Sequence, residues 1–202
     1  MPDTAPAFPE SRAVQRLALD QLLARRSVGP LQEPAPDGAD LDLILDAGLR
    51  APDHGKLRPW RFVVIRGDAR LAFGERLAEA ATRRDPANGV ALGERYRAWV
   101  RRTPMLIGVG VVVKSGNIPE IEQVLSAGAA AMNMLNAIHL LGYGGMWVTG
   151  ANVYDPAVNA LLGFDAPSHL VGFVTVGTPA TSLPPATRPD RADHVVEWAD
   201  PG

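Results

Sequence analysis

Two prolines, Pro52 and Pro59, bracket the polar loop inside RAPDHGKLRPWRFVVIRG, Arg50 to Gly67, and they limit what the chain can do on either side. Pro52 has no amide hydrogen and pushes Ala51 out of helical geometry, so the periodic segment before it must stop there. After Pro59, the run Trp60 to Ile65 is aromatic and β-branched, which suits a pleated, buried strand. The loop therefore joins a helix to a strand and is held at both ends. It carries three potential cations, His54, Lys56 and Arg58. Two readings follow: a solvated surface loop, or a ligand site at a strand edge, where binding residues often lie.

Composition narrows the classes. At 202 residues the chain suits one domain, or a domain with an extension, and can bury roughly 70% of its unfolded surface without staples. Cysteine is absent, which excludes disulfides, thiolate metal sites and a thiol nucleophile. A net charge of -2 gives no excess of positive charge for a nucleic-acid polyanion, so no nucleic-acid partner is expected. The start, MPDTAPAFPE, is acidic and proline-rich and has none of the layout of a secretory signal. Residues 1–11 are expected to form a disordered lead-in. The most apolar long run, Ser126 to Gly142, is interrupted by Asn133, Asn136 and His139, too polar for a membrane span. A cytoplasmic protein with no membrane partner is the expectation.

In chain order, Ser11 caps a helix predicted to run to Arg26, with Val14, Leu17, Leu22 and Leu23 tending to one stripe. Its end gathers Arg25, Arg26 and Ser27. Such a cluster either complements the negative end of the helix dipole or clamps an anion, because guanidinium groups pair bidentately with phosphate. A proline-rich link, 30–36, precedes a helix capped near Asp37 or Asp40, with Leu41, Ile44, Leu45 and Leu49 on its buried face. Strand 60–66 follows, then helices over 68–83 and 90–102, with 83–93 between them as a candidate mobile lid. Met105 to Val113 is continuously apolar and reads as a central strand. The longest helix is predicted over 119–141, and its small residues make it either the core axis or a subunit contact. A third strand over 142–150, a short helix over 156–162 and a fourth strand over 168–179 complete the domain, 12–179. The remainder, 180–202, has only Val195, Val196 and Trp198 as apolar anchors and is expected to wrap over the domain or a partner subunit. This order predicts an α+β or mixed-sheet domain built around the helix 119–141.

Several familiar chemistries drop out. Neither GxGxxG nor GxxxxGK[ST] occurs, and the four histidines share no metal-ligand spacing, so no metal is expected. No catalytic acid, base or nucleophile is assigned. What remains is a set of donors at two element ends, Arg25, Arg26 and Ser27, then Arg50, His54, Lys56 and Arg58, with a third polar junction over 147–152. That set suits a ligand with a dianionic phosphate at one end and a flat, polar-edged ring at the other. Flavin mononucleotide (FMN) is such a ligand, its ring edge needing a nearby cation because reduction places negative charge there. Lys56 and Arg58 are the candidates for that cation.

The sequence also resembles the nitroreductase family, in particular its short NAD(P)H nitroreductase branch, from about Leu22 to Pro179. The matching pieces are RRS at 25–27, EPAP at 33–36, RAPDH at 50–54 with PWRF at 59–62, SAGAAAM at 126–132, GYGGMW at 142–147 and GFVTVGTP at 172–179. The resemblance implies an FMN-dependent oxidoreductase of α+β fold, with a central mixed, mainly antiparallel sheet flanked by helices, working as an intertwined homodimer with flavin at the interface. Hydride would pass from NAD(P)H through the flavin to a small-molecule acceptor such as a nitroaromatic or quinone. Mapped by this resemblance, the flavin contacts are Arg25, Arg26, Ser27, Arg50 and His54, then Trp147, Val148 and Thr149. Arg188 and Arg191 are further phosphate candidates, since other members use late basic residues. The nicotinamide donor maps near Ala137, Ile138, His139, Leu140, Leu141 and Gly142. Two other functions stay open: a flavin enzyme of the same fold with different chemistry, such as dehalogenation or flavin breakdown, and a protein that sequesters flavin without turnover.

Overall fold

The structure, a computed structural model, describes residues 11–182 and 187–200. The predicted lead-in therefore lies outside the described residues except for Ser11, as do 183–186 and 201–202 of the predicted extension. Six α-helices and five strands follow in the order α1 (Arg12–Ala24), β1 (Leu31–Gln32), α2 (Gly38–Gly48), β2 (Trp60–Arg66), α3 (Asp68–Arg84), α4 (Gly89–Arg102), β3 (Met105–Val111), α5 (Glu120–Leu140), β4 (Gly144–Val148), α6 (Pro156–Leu161) and β5 (His169–Pro179). Single 3-10 turns stand at His54–Lys56 and Arg191–Asp193.

The centre of the molecule is β3, all seven of whose residues are buried. A strand sends successive side chains to opposite faces, and β3 does so cleanly. Met105, Ile107, Val109 and Val111 pack with α2 and α5 through Ile44, Ala127, Ala131, Met134 and Ile138. Leu106 joins the other core, with Phe73 and Leu77 of α3, Val100 of α4 and Phe164. β3 pairs with β2 on one side and β5 on the other, and β5 also pairs with β4 and, at its last residues, with β1. Every one of these pairings is antiparallel, so the sheet expected to be mainly antiparallel is wholly so among the described residues.

Several local expectations are corrected. Leu49, expected on the buried face of α2, is 55% exposed because the helix has already ended at Gly48. Asp37 makes no capping bond and instead pairs with Arg66 of β2 at 2.6 Å, which holds its carboxyl below its ordinary value. The expected lid at 83–93 is mostly helix: α3 runs through Arg84, α4 starts at Gly89, and Asp85 fastens the short connection by accepting from Asn88 through both its main-chain and side-chain nitrogens. The proline-rich link contains β1, and the third strand is shorter than predicted, 144–148. In α5 the small residues Ala127, Ala130 and Ala131 are in the core, and the larger Met132 beside them is exposed. The apolar stripe of α1 finds no core at all; Val14, Leu17, Leu22 and Leu23 are each at least 41% exposed.

A buried polar network ties α3 to the segment after β4. Arg84 forms an ion pair with Asp155 and donates to Asn152 Oδ1 at 2.6 Å. Asp155 also accepts from the Ala157 amide as the cap of α6. Burial alone pushes the Asp155 carboxyl up, but the Arg84 hydrogen bond and the Ala157 amide outweigh it, leaving the group below its ordinary value of 3.8. The ion pair therefore contributes fully above that value and is lost as pH falls through the lower folded value.

Two stability measurements follow. In Gly110→Ala the added carbon would lie 2.1 Å from the buried Phe164 ring, so denaturant unfolding should lose about 1–3 kcal/mol with an unchanged slope. An unaltered midpoint would contradict this packing. Asp155→Asn keeps a capping side chain but removes the ion pair, and should cost about 2–3 kcal/mol at pH 7. The variant should also show a flatter loss of stability on acidification below pH 3.8; equal acid sensitivity in both proteins would contradict the linkage.

Candidate functional site

The groups expected to bind a ligand are distributed along α5. At its C-terminal end, the Arg12–Ala24 helix stops and Val28 donates its amide to the Gly145 carbonyl at 3.0 Å, which docks the Arg25–Ser27 segment beside the start of β4. Close packing requires glycine at this point, since a Cβ on Gly144 would meet Leu31 and Val28 side chains at 2.8 Å. His139 Nε2 lies 2.9 Å from the Gln21 carbonyl, and Ala24, Arg26, His139, Gly142 and Tyr143 line one cleft of about 410 Å³. Tyr143 donates its hydroxyl to Asp40 at 2.9 Å, and that hydrogen bond, with burial, raises the phenol above its ordinary value.

Arg188, distant in sequence, arrives at the same place. Its Nη2 donates to the Leu23 carbonyl at 3.1 Å and to the Arg25 carbonyl at 2.5 Å, satisfying oxygens at the end of α1. Arginine has five N–H donors in a planar fork, so Nε and Nη1 remain for a further acceptor. The structure thus brings Arg188 to the backbone of the Arg25–Ser27 segment. Arg191, the other late candidate, lies exposed in the 3-10 turn.

The second cluster is elsewhere. From Asp40, beside Tyr143, α2 runs back along α5 until Gly48 stands against Met134. The loop then reaches the other end of α5: Ser126 donates its hydroxyl to the Pro52 carbonyl at 2.7 Å, and His54 Nδ1 lies 2.6 Å from Glu122 Oε2. Lys56 and Arg58 both occupy the left-handed region, at φ 55° and 49°, an uncommon conformation for residues with side chains and one often found at functional loops. Asp53 holds the turn by accepting from the Arg58 amide at 2.6 Å. At a rise of 1.5 Å and 100° per residue, Glu122 and His139 stand about 25 Å apart and about 100° round the helix. Within one chain, His54 and Lys56 therefore do not meet the Arg25–Ser27 cluster.

The third expected group lies on β4. Trp147 packs closely enough on β5 that a Cβ on Gly172 would meet its indole nitrogen at 2.0 Å, and its ring also reaches Gly128 of α5. Val148 packs with the core on the α3 and α4 side, and with Thr149 it lines a second cleft against α4. Of the segment mapped to the nicotinamide, Ile138 is 1% exposed and faces the core, while His139 and Gly142 line the cleft beside Arg26.

Sequence reasoning missed three features. The Glu122 partner of His54 lies 68 residues away, and Arg84 reaches Asp155 across 71, with no local signal for either. The α4 cleft draws on Arg95, Tyr96, Trp99 and Arg102, whose spacing reads only as a helix face. Among the described residues no helix is long and apolar enough to cross a membrane, and no His, Cys, Asp or Glu cluster is arranged to hold a metal.

Comparison with known proteins agrees with this architecture. The profile described as "Nitroreductase family" matches residues 22–178. A protein of Escherichia coli strain K12 named "Putative NAD(P)H nitroreductase YdjA" is 40% identical over 166 residues, covering 80% of this chain and 88% of the relative. A Haemophilus influenzae protein named "Putative NAD(P)H nitroreductase" is 32% identical over 167 residues, covering 80% and 88%. Among solved structures, a nitroreductase-like family protein from Bacillus cereus superposes with a TM-score of 0.76 at 20% identity, over 96% of this chain and 99% of the other, a likeness of fold. A Desulfovibrio desulfuricans structure described as a "putative nitroreductase in complex with fmn" gives 0.68 at 28% identity, over 91% and 98%. With a family profile spanning most of its length and a relative at this level of identity, the chain belongs to the nitroreductase family.

Proposed function

We propose that this protein is an FMN-dependent oxidoreductase that takes hydride from NAD(P)H and reduces small, electron-poor acceptors such as nitroaromatics or quinones, working as a homodimer. The observation that carries this reading is the arrival of Arg188 at the Arg25–Ser27 segment, which gathers three arginines and a serine at one helix end. The simpler role, cations complementing a helix dipole, is worth about 0.3–1 kcal/mol and leaves Nε and Nη1 of Arg188 for a further acceptor. A dianionic phosphate uses the whole donor set, since arginine forks match its geometry. The names of the curated relatives and the FMN held by the Desulfovibrio desulfuricans structure support the same ligand and reductant.

The chain's own residues would then divide the work. Arg25, Arg26, Ser27 and Arg188 hold the phosphate. Trp147, packed between α5 and β5, gives a rigid wall, and Val148 and Thr149 border the ring. His139 and Gly142 border the Arg26 cleft, where the nicotinamide donor is expected. Bound FMN supplies the electron-transfer chemistry itself, accepting hydride and passing an electron pair onward, so no protein acid or base is required.

The separation of the two cationic clusters supports a dimer. Arg50, His54 and Lys56 reach the flavin only if they come from a second copy of the chain. The apolar surface left uncovered on α1 and α5, including Leu17, Leu23, Ile121 and Leu125, each at least 60% exposed, is the kind a partner buries. Lys56 or Arg58 of that copy would place the cation at the ring edge.

Arg25→Ala and Arg50→Ala should each weaken FMN binding roughly tenfold or more, the effect of losing one charge-assisted hydrogen bond. Flavin fluorescence titration of the apoprotein reads this directly. Unchanged affinity in both variants would overturn the assignment.

A further inference from the structure

We propose that Glu122 is the positioning residue for His54: by accepting a hydrogen bond from Nδ1 it fixes the imidazole so that Nε2 is left to meet the flavin. This rests on the oxidoreductase reading above, in which His54 is a flavin contact, and adds to it a residue that acts through another. Nδ1 of His54 lies 2.6 Å from Glu122 Oε2. A carboxylate has no proton to give, so this contact requires the hydrogen to be on Nδ1. Nε2 is then the nitrogen offered to a ligand, as a lone-pair acceptor in the neutral ring and as a donor in the charged one. A carboxylate behind an imidazole orients histidines in the same way at metal and catalytic sites.

Stability is a poor account of the pair. Its side chains are 66% and 41% exposed, and an ion pair so open to water contributes little to folding. Glu122 also stands in the first turn of α5, where an acid complements the helix dipole, but Glu120 serves that role in the same turn and neither needs a histidine for it. The backbone of the loop, moreover, is held without Glu122. Ser126, one turn further along the same face of α5, donates to the Pro52 carbonyl at 2.7 Å. Lys114 Nζ donates to the Leu57 carbonyl at 2.5 Å, and Asp53 accepts from the Arg58 amide at 2.6 Å. Buried Gln123 fastens Lys114 in turn, accepting from its amide and donating to its carbonyl, both at 2.9 Å. On this fixed backbone the histidine still has two side-chain torsions and two tautomers. Glu122 supplies the contact that selects among them.

The first measurement is the tautomer of His54 in the apoprotein, read from long-range proton–nitrogen correlations of the imidazole at alkaline pH, with His54→Ala assigning the signal. In the wild type the proton should sit on Nδ1. In Glu122→Ala it should move largely to Nε2, the form an unrestrained imidazole favours in water. A wild-type proton on Nε2, or the same tautomer in both proteins, would overturn the proposal. The second measurement is a double-mutant cycle on FMN affinity, read by fluorescence titration. His54→Ala and Glu122→Ala should each weaken binding roughly fivefold or more, the effect of losing or misdirecting one charge-assisted hydrogen bond. The double variant should match His54→Ala within about twofold. An equal loss from Glu122→Ala with and without His54 would mean that Glu122 acts on the loop as a whole, and would overturn the proposal, as would unchanged affinity in Glu122→Ala. A wild type that binds no FMN would defeat the oxidoreductase reading and the flavin half of this proposal with it, while the tautomer still decides whether Glu122 fixes the ring.

Discussion

The packing of α5 between the central strand and α2 is the constraint on which the rest depends. Ala127, Ala130 and Ala131 are fully buried, and their small side chains let β3 and α2 approach the same helix. Because α2 runs back along α5 from Asp40 to Gly48, it delivers Arg50 and His54 away from the end where Arg25, Arg26 and Ser27 stand. A small-residue helix thus fixes the distance between two sets of donors. That distance is why the proposed function calls for a second chain.

The sheet completes the arrangement by separating two environments. On the α5 side lie the arginine cluster, His139 and the Trp147 ring; on the α4 side lie Phe173, Trp99 and the cleft. Strand alternation at the end of β4 sends Trp147 and Val148 to opposite faces, so a few residues border both regions. The Arg84–Asp155–Asn152 network then anchors the chain just beyond Thr149. Its position gives that segment a rigid base where a flexible loop would otherwise follow.

Much of this was legible in the sequence because the signals were local. The unbroken apolar run gave the central strand, and paired prolines gave the loop before β2. Small residues marked α5 but left open whether they served the core or a partner; Ala127, Ala130 and Ala131 serve the core. What stayed hidden depended on contacts across long stretches of chain. Nothing near Arg188 announces that it reaches the carbonyls of Leu23 and Arg25, and nothing near Arg84 points to Asp155. The region 83–93 misled because Asp, Pro, Asn and Gly are turn formers, yet Asp85 uses its side chain to close a compact connection between two helices. Leu49 misled because its spacing continued the pattern of α2 one residue past the helix end. The α4 cleft is invisible to periodicity, since Tyr96 and Trp99 look the same whether they face a core or a cavity.

The most direct test of the two-chain site is a mixed dimer in which one chain carries Arg25→Ala and the other Arg50→Ala, isolated through different affinity tags and assayed for bound FMN. If each site takes Arg25 from one chain and Arg50 from the other, one site in the mixed dimer is intact, and it should retain about half the wild-type flavin while both parent homodimers retain little. A mixed dimer as depleted as its parents would place both arginines in the same chain's site and contradict the account.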